Sequence, residues 1–217
     1  MLDQSFSTQN FKKIIEMENR KGNYLEGDFF ENIVEITKKI KEANSDLKRL
    51  KKLKMSSERY GVEKDKLVKI KNELKEKKEE KLDVILSKIS TKVASTKFSL
   101  EVFPDSDISE KTVYKTPYKI ENILTQKQLQ YNFRKLYKVK QANRYSIISQ
   151  MKNLLDDGFP KIILKTDIQN FYESIPQDDL LKKINDDNLL THLSRKFIKQ
   201  LFISARSKTK YQIGLTT

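Results

Sequence analysis

Apolar residues first recur at helical spacing at Ile33, Ile36, Ile40, Ala43, Leu47 and Leu50, three or four positions apart with lysines between them. That period predicts an amphipathic helix. Leu67, Ile70, Leu74, Leu82, Ile85, Ile89 and Val93 predict a second one, and Ser56, Ser57 and Gly61 mark the break between the two. Two such neighbours predict an antiparallel helical hairpin. The charged positions from Lys75 to Lys81 read as its solvated face, because a surface helix needs one. The repeat is too short and too interrupted to predict a coiled coil.

The texture changes from Ser99. Pro104, Asp105, Ser106 and Asp107 read as a loop and Thr116-Pro117 as an extended segment, so a boundary is expected near residue 97. Beyond it Leu124 to Tyr137 reads as helix, and Ile147, Ile148, Met151, Leu154 and Leu155 return to helical spacing. This second helix should end at Asp156-Asp157-Gly158, where glycine can take the left-handed conformation that closes a helix. The short apolar run Ile162, Ile163, Leu164 suits a buried strand. Asp178-Asp179 ahead of Leu180, Leu181 and Ile184 places carboxylates at a helix N-terminus, where the dipole favours them, and a last helix is expected from about Leu193 to Ala205.

Composition agrees with long helices. The 217 residues are 37% hydrophobic and 34% charged, with five glycines and four prolines, a balance that argues against a compact all-β domain. The net charge of +14 comes from 44 basic and 30 acidic residues and divides evenly, +7 in residues 1–100 and +7 in 101–217. A field of that size favours a polyanion, nucleic acid first. With no cysteine there is neither disulfide nor thiolate metal site, and a reducing cytoplasm is allowed. The N-terminus shows no secretory pattern and no apolar run is long enough to span a bilayer, so no membrane role is expected.

The segment that carries chemistry is Lys161-Ile-Ile-Leu-Lys-Thr-Asp167-Ile-Gln-Asn-Phe-Tyr172-Glu-Ser-Ile175. An apolar strand would deliver one carboxylate to a strand end, with an aromatic pair just beyond. Phosphoryl transfer through two metal ions about 4 Å apart needs such a rigidly held ligand, and magnesium takes one or two protein carboxylates beside phosphate oxygens. Read alone, an aspartate after a strand is more often an Asx-type turn in which the aromatics fill the core.

Over these residues the chain resembles the first catalytic block of the reverse transcriptases: an apolar strand, then Asp167-Ile168, Phe171-Tyr172 and Ser174-Ile175. The resemblance implies an RNA-directed DNA polymerase. The expected fold is α+β: a helical N-terminal extension over 1–97, then partial fingers and palm of a right-hand polymerase over 98–217. It implies that Asp167 binds both catalytic Mg2+ ions, that the carbonyl of Ile168 assists one, and that Tyr172 is the steric gate against a ribose 2′-hydroxyl, with Phe171 beside it. Upstream, Lys138, Lys140 and Arg144 match basic fingers residues that hold the triphosphate and template, a role their charge and donor geometry suit; a basic helix end is the other reading. Gly214-Leu215-Thr216-Thr217 resembles the opening of the family's next block, with threonine in place of proline.

With Met1-Leu-Asp-Gln-Ser-Phe and Glu18-Asn-Arg-Lys-Gly22, the chain looks most like bacterial antiphage reverse transcriptases. That implies an RNA template, a DNA primer or product, dNTPs, a cytoplasmic setting, and a non-coding RNA or a second reverse transcriptase as partner. A retron or group II intron enzyme is the neighbouring alternative, and a non-catalytic basic helical RNA-binding or interaction protein the one from another class. No aromatic-x-Asp-Asp segment lies between apolar strands. Asp156-Asp157, Asp178-Asp179 and Asp186-Asp187 border helices or loops, so the chain is expected to be a fragment inactive alone. His192, the single histidine, reads as a surface or interface residue.

Overall fold

The computed structural model describes residues 2–53, 57–105, 113–139, 143–156, 158–162, 164 and 176–213, without the side chains of 57 and 206–213. Among the described residues helix makes up about 73%, beside one small two-stranded sheet. The order is α1 (Thr8–Arg20), α2 (Leu25–Phe29), α3 (Glu31–Leu50), α4 (Ser57–Ala94), β1 (Phe103–Asp105), β2 (Val113–Lys115), α5 (Ile120–Leu136), α6 (Arg144–Leu155), α7 (Gln177–Asp187) and α8 (His192–Ile213). Two compact units result, Met1–Gln128 and Leu129–Thr217.

In the first unit the expected hairpin is present: α3 packs along α4. At 1.5 Å per residue the 38 residues of α4 run about 57 Å, nearly twice the length of α3. The rest of α4 is covered by α1, which starts at an Ser7 cap accepting from the amide of Asn10. Phe11, Ile14 and Ile15, all but unexposed, turn one face of α1 inward. Ser90 donates to the carbonyl of Phe6 at 2.8 Å, and Lys12 pairs with Asp83 at 3.3 Å. The core lies here, from Ile33 and Ile36 of α3 through Leu82, Leu86, Ile89 and Val93 of α4 to Phe98, Leu100 and Leu124.

The hairpin's other half differs. From Glu58 to Lys81, α4 buries no residue.

Pro104 and Asp105, expected in a loop, belong instead to β1, which pairs antiparallel with β2 in the register Phe103↔Lys115, Pro104↔Tyr114, Asp105↔Val113. A proline is tolerated because each strand has an open edge, and Lys115 and Asp105 form an ion pair across the two strands.

In the second unit α7 packs against α8, with Ile184, Leu190, Phe197 and Ile198 buried. Asn188 ends α7 in the left-handed conformation, φ 48°, a geometry asparagine adopts more readily than most side chains. Thr191 opens α8: its hydroxyl oxygen accepts from the amide of Ser194 and its hydroxyl donates to Ser194 Oγ. α6 spans the expected residues and closes before Gly158, whose φ is 74°, yet it buries no side chain.

Candidate active site

Asp167, Ile168, Phe171, Tyr172, Lys140 and Gly214 lie outside the described residues. What is described are the approaches to the block. Upstream, the strand expected over Ile162–Leu164 is not found: Ile162 is 98% exposed and Leu164 83% exposed, and neither is in a strand. An apolar run becomes a buried strand only when neighbouring strands satisfy its amides and a packed layer covers its side chains. Among the described residues the sole sheet is β1–β2, which lies in the other unit. Downstream, Pro176 leads into α7, and Asp178 and Asp179 occupy its first turn as expected. Asp186 and Asp187 end the same helix, so neither pair stands on a strand hairpin.

Of the basic candidates, Lys138 follows α5 with a positive φ of 51° and is exposed. Arg144 is the first residue of α6, capped by Asn143, whose side chain accepts from the amides of Tyr145 at 3.1 Å and Ser146 at 3.5 Å. Both cations reach solvent on either side of a short linking segment. Just before them the rings of Phe133 and Tyr137 stack with centroids 5.3 Å apart, and burial pushes the Tyr137 hydroxyl up from its ordinary pKa. His192 is exposed at the start of α8.

A carboxylate such as that of Asp167 is the kind of hard oxygen ligand that magnesium accepts. Among the described residues no group of three or more His, Cys, Asp or Glu could hold a metal ion, so no further ligand is named. No described helix is long and apolar enough to cross a membrane.

One titratable centre was not foreseen. Glu18, at the end of α1, has a side chain 3% exposed that accepts from Lys21 at 2.6 Å, Asn23 at 3.0 Å and Lys127 at 3.0 Å. Burial alone would raise its pKa, but these three donors outweigh burial and hold it at about 2. The carbonyl of Glu18 also accepts from the amides of Lys21 and Asn23. The residue therefore ties the end of α1, the following turn and α5 together, which is a framework role. Sequence reading had touched Glu18 through the resemblance alone. Its position one helical turn after Ile14 and Ile15, on the apolar face, was the signal that it would be buried.

Compared with protein-family models, curated proteins and solved structures, the chain finds no match in any of the three.

Proposed function

We propose that the chain carries the fingers-side helices and the first metal-binding block of an RNA-directed DNA polymerase, of the kind bacteria use against phage. The observation that carries this reading is the run Lys161 to Ile175, in which Asp167-Ile168, Phe171-Tyr172 and Ser174-Ile175 keep the order and spacing of the family's block. Two described features support it: α6 closes at Leu155 before the run, and α7 opens at Gln177 directly behind it. The overall charge of +14 suits a template and primer.

In this reading Asp167 offers a carboxylate to Mg2+, which when bound would polarise the phosphoryl group under attack. The ring of Tyr172 crowds the 2′ position of the incoming sugar. Lys138, Lys140 and Arg144 neutralise triphosphate and template charge, Arg144 with a planar donor fork and the lysines as point charges.

Primer extension on an RNA template by the longest reading frame that contains this chain tests the reading. DNA synthesis should appear, vanish in Asp167→Asn, and accept ribonucleotides in Tyr172→Ala. Synthesis indifferent to Asp167→Asn, or none from the intact frame, overturns it. The exposure of Ile162 and Leu164, with no strand in their unit among the described residues, favours a second reading, a non-catalytic basic helical protein that binds RNA. Under it the biological function survives Asp167→Asn.

A further inference from the structure

We propose that the free end of the α3–α4 hairpin is a separate binding surface for duplex nucleic acid, gripping the sugar-phosphate backbone without regard to sequence. This does not rest on the polymerase reading, since it uses none of the same residues.

The first observation is where the charge lies. Residues 38–71 hold thirteen lysines and arginines against five carboxylates, a net of +8, whereas residues 1–37 total −3 and residues 72–94 total +1. The even division of charge between the two parts of the sequence conceals this concentration.

The second is a groove of about 690 Å³ between the two helices. Lys41, Lys48 and Lys51 line it from α3 and its end; Tyr60, Lys64 and Lys71 line it from α4. Lys41 and Lys48 are seven residues apart, as are Lys64 and Lys71, so each pair shares a face of its helix. Among the described residues no carboxylate lines the groove, which Leu47 and Val68 line as well. Four of the lysines are exposed and Lys71 is half-buried.

The third is the lack of internal compensation. Elsewhere in this unit Lys12, Lys78, Lys92 and Lys127 each pair with a carboxylate. None of the five groove lysines makes an ion pair among the described residues. Like charges gathered without partners repel, and that repulsion is relieved by a polyanion.

The chemistry of the groove selects among polyanions. Lys41 to Lys51 spans about 15 Å of helix, the axial length over which one duplex strand presents about four phosphates. Lysine is a compact point charge without arginine's planar fork, which suits a contact that follows the phosphate backbone. A single tyrosine gives no stacking platform of the sort single strands use. A concave site accepts a ridge of phosphates better than a flat lipid surface.

The test uses the whole chain and a fluorescein-labelled, mixed-sequence RNA duplex, with binding read by anisotropy at several salt concentrations. Lys48→Gln, Lys51→Gln, Lys64→Gln and Lys71→Gln are combined in one variant. Lys75→Gln, Lys77→Gln, Lys81→Gln and Lys88→Gln, equal in charge but farther along α4, form the control. Far-UV circular dichroism verifies that both remain helical. The groove variant should lose at least about tenfold in affinity and its log–log salt slope should fall by about 3 to 4, near 0.9 per lost contact; the control should stay within about twofold of the parent. Equal losses in both variants, or none in either, overturn the proposal. So does equal affinity of the parent for a single strand of the same length. Loss of binding to phosphatidylserine vesicles by the groove variant, with duplex binding intact, overturns it in favour of a membrane surface.

Discussion

The two halves of the α3–α4 hairpin are built from the same residue types and do opposite things with them. In the half that carries α1 and α2, lysines meet carboxylates on neighbouring elements: Lys12 with Asp83, Lys78 with Glu26 at 2.7 Å, Lys92 with Glu121. There α4 buries Leu82, Leu86, Ile89 and Val93. In the free half α4 buries nothing, and among the described residues the ion pair within its own length, Lys66 with Glu63 at 3.3 Å, is a local one. The contrast teaches that a lysine-rich helix is not uniformly a solvated face. Where carboxylates from other elements arrive, its charge is used for assembly; where none arrive, the charge stays available to a partner.

If that division is right, substitutions should sort by half. The largest effect belongs to the core: Phe11→Ala, at a fully buried ring, should cost about 3–5 kcal/mol in urea unfolding. At the free end Val62→Ser, 53% exposed, should stay within about 0.5 kcal/mol. Next comes Glu18. Its folded pKa of about 2 lies below the ordinary carboxylate value of 4.5, so its contribution is fully present above about pH 4.5 and is lost as pH falls from there toward 2. Glu18→Gln should cost up to about 3 kcal/mol at pH 7 and flatten the acid side of the stability curve. A parallel acid limb in parent and variant would show that the three donors do not hold the carboxylate as described. Smaller still, Lys78→Ala should cost about 1 kcal/mol, since its pair is largely shielded, against about 0.3 kcal/mol for Lys66→Ala in the exposed pair; chemical denaturation of both resolves the ordering.

Much of this frame was legible in the sequence because it rests on local periodicity. Ile33 to Leu50 and Leu67 to Val93 gave α3 and α4, Asp178-Asp179 gave the start of α7, and Gly158 the close of α6. α1 went unread although Phe11, Ile14 and Ile15 follow a serine cap, because a glutamate on the same face hides the pattern until its three donors are known. β1 was obscured by Pro104 and Asp105, which signal a turn locally and a strand only once Tyr114 and Val113 are alongside. Ile162 and Leu164 fail for the complementary reason. Their hydrophobicity states a preference for burial, but burial depends on neighbours that the run itself does not specify. The chemical block around Asp167 was legible as motif alone. The groove was not legible, because it needs lysines of two helices brought face to face.

The most direct test of the division between the two halves is lysine footprinting, in which amine acetylation of the intact chain is mapped by mass spectrometry with and without an RNA duplex. The predicted result is that bound duplex shields Lys41, Lys48, Lys51, Lys64 and Lys71 while Lys75, Lys77, Lys81 and Lys88 keep their reactivity. Shielding spread evenly along α4, or confined to the half that carries α1, would contradict it.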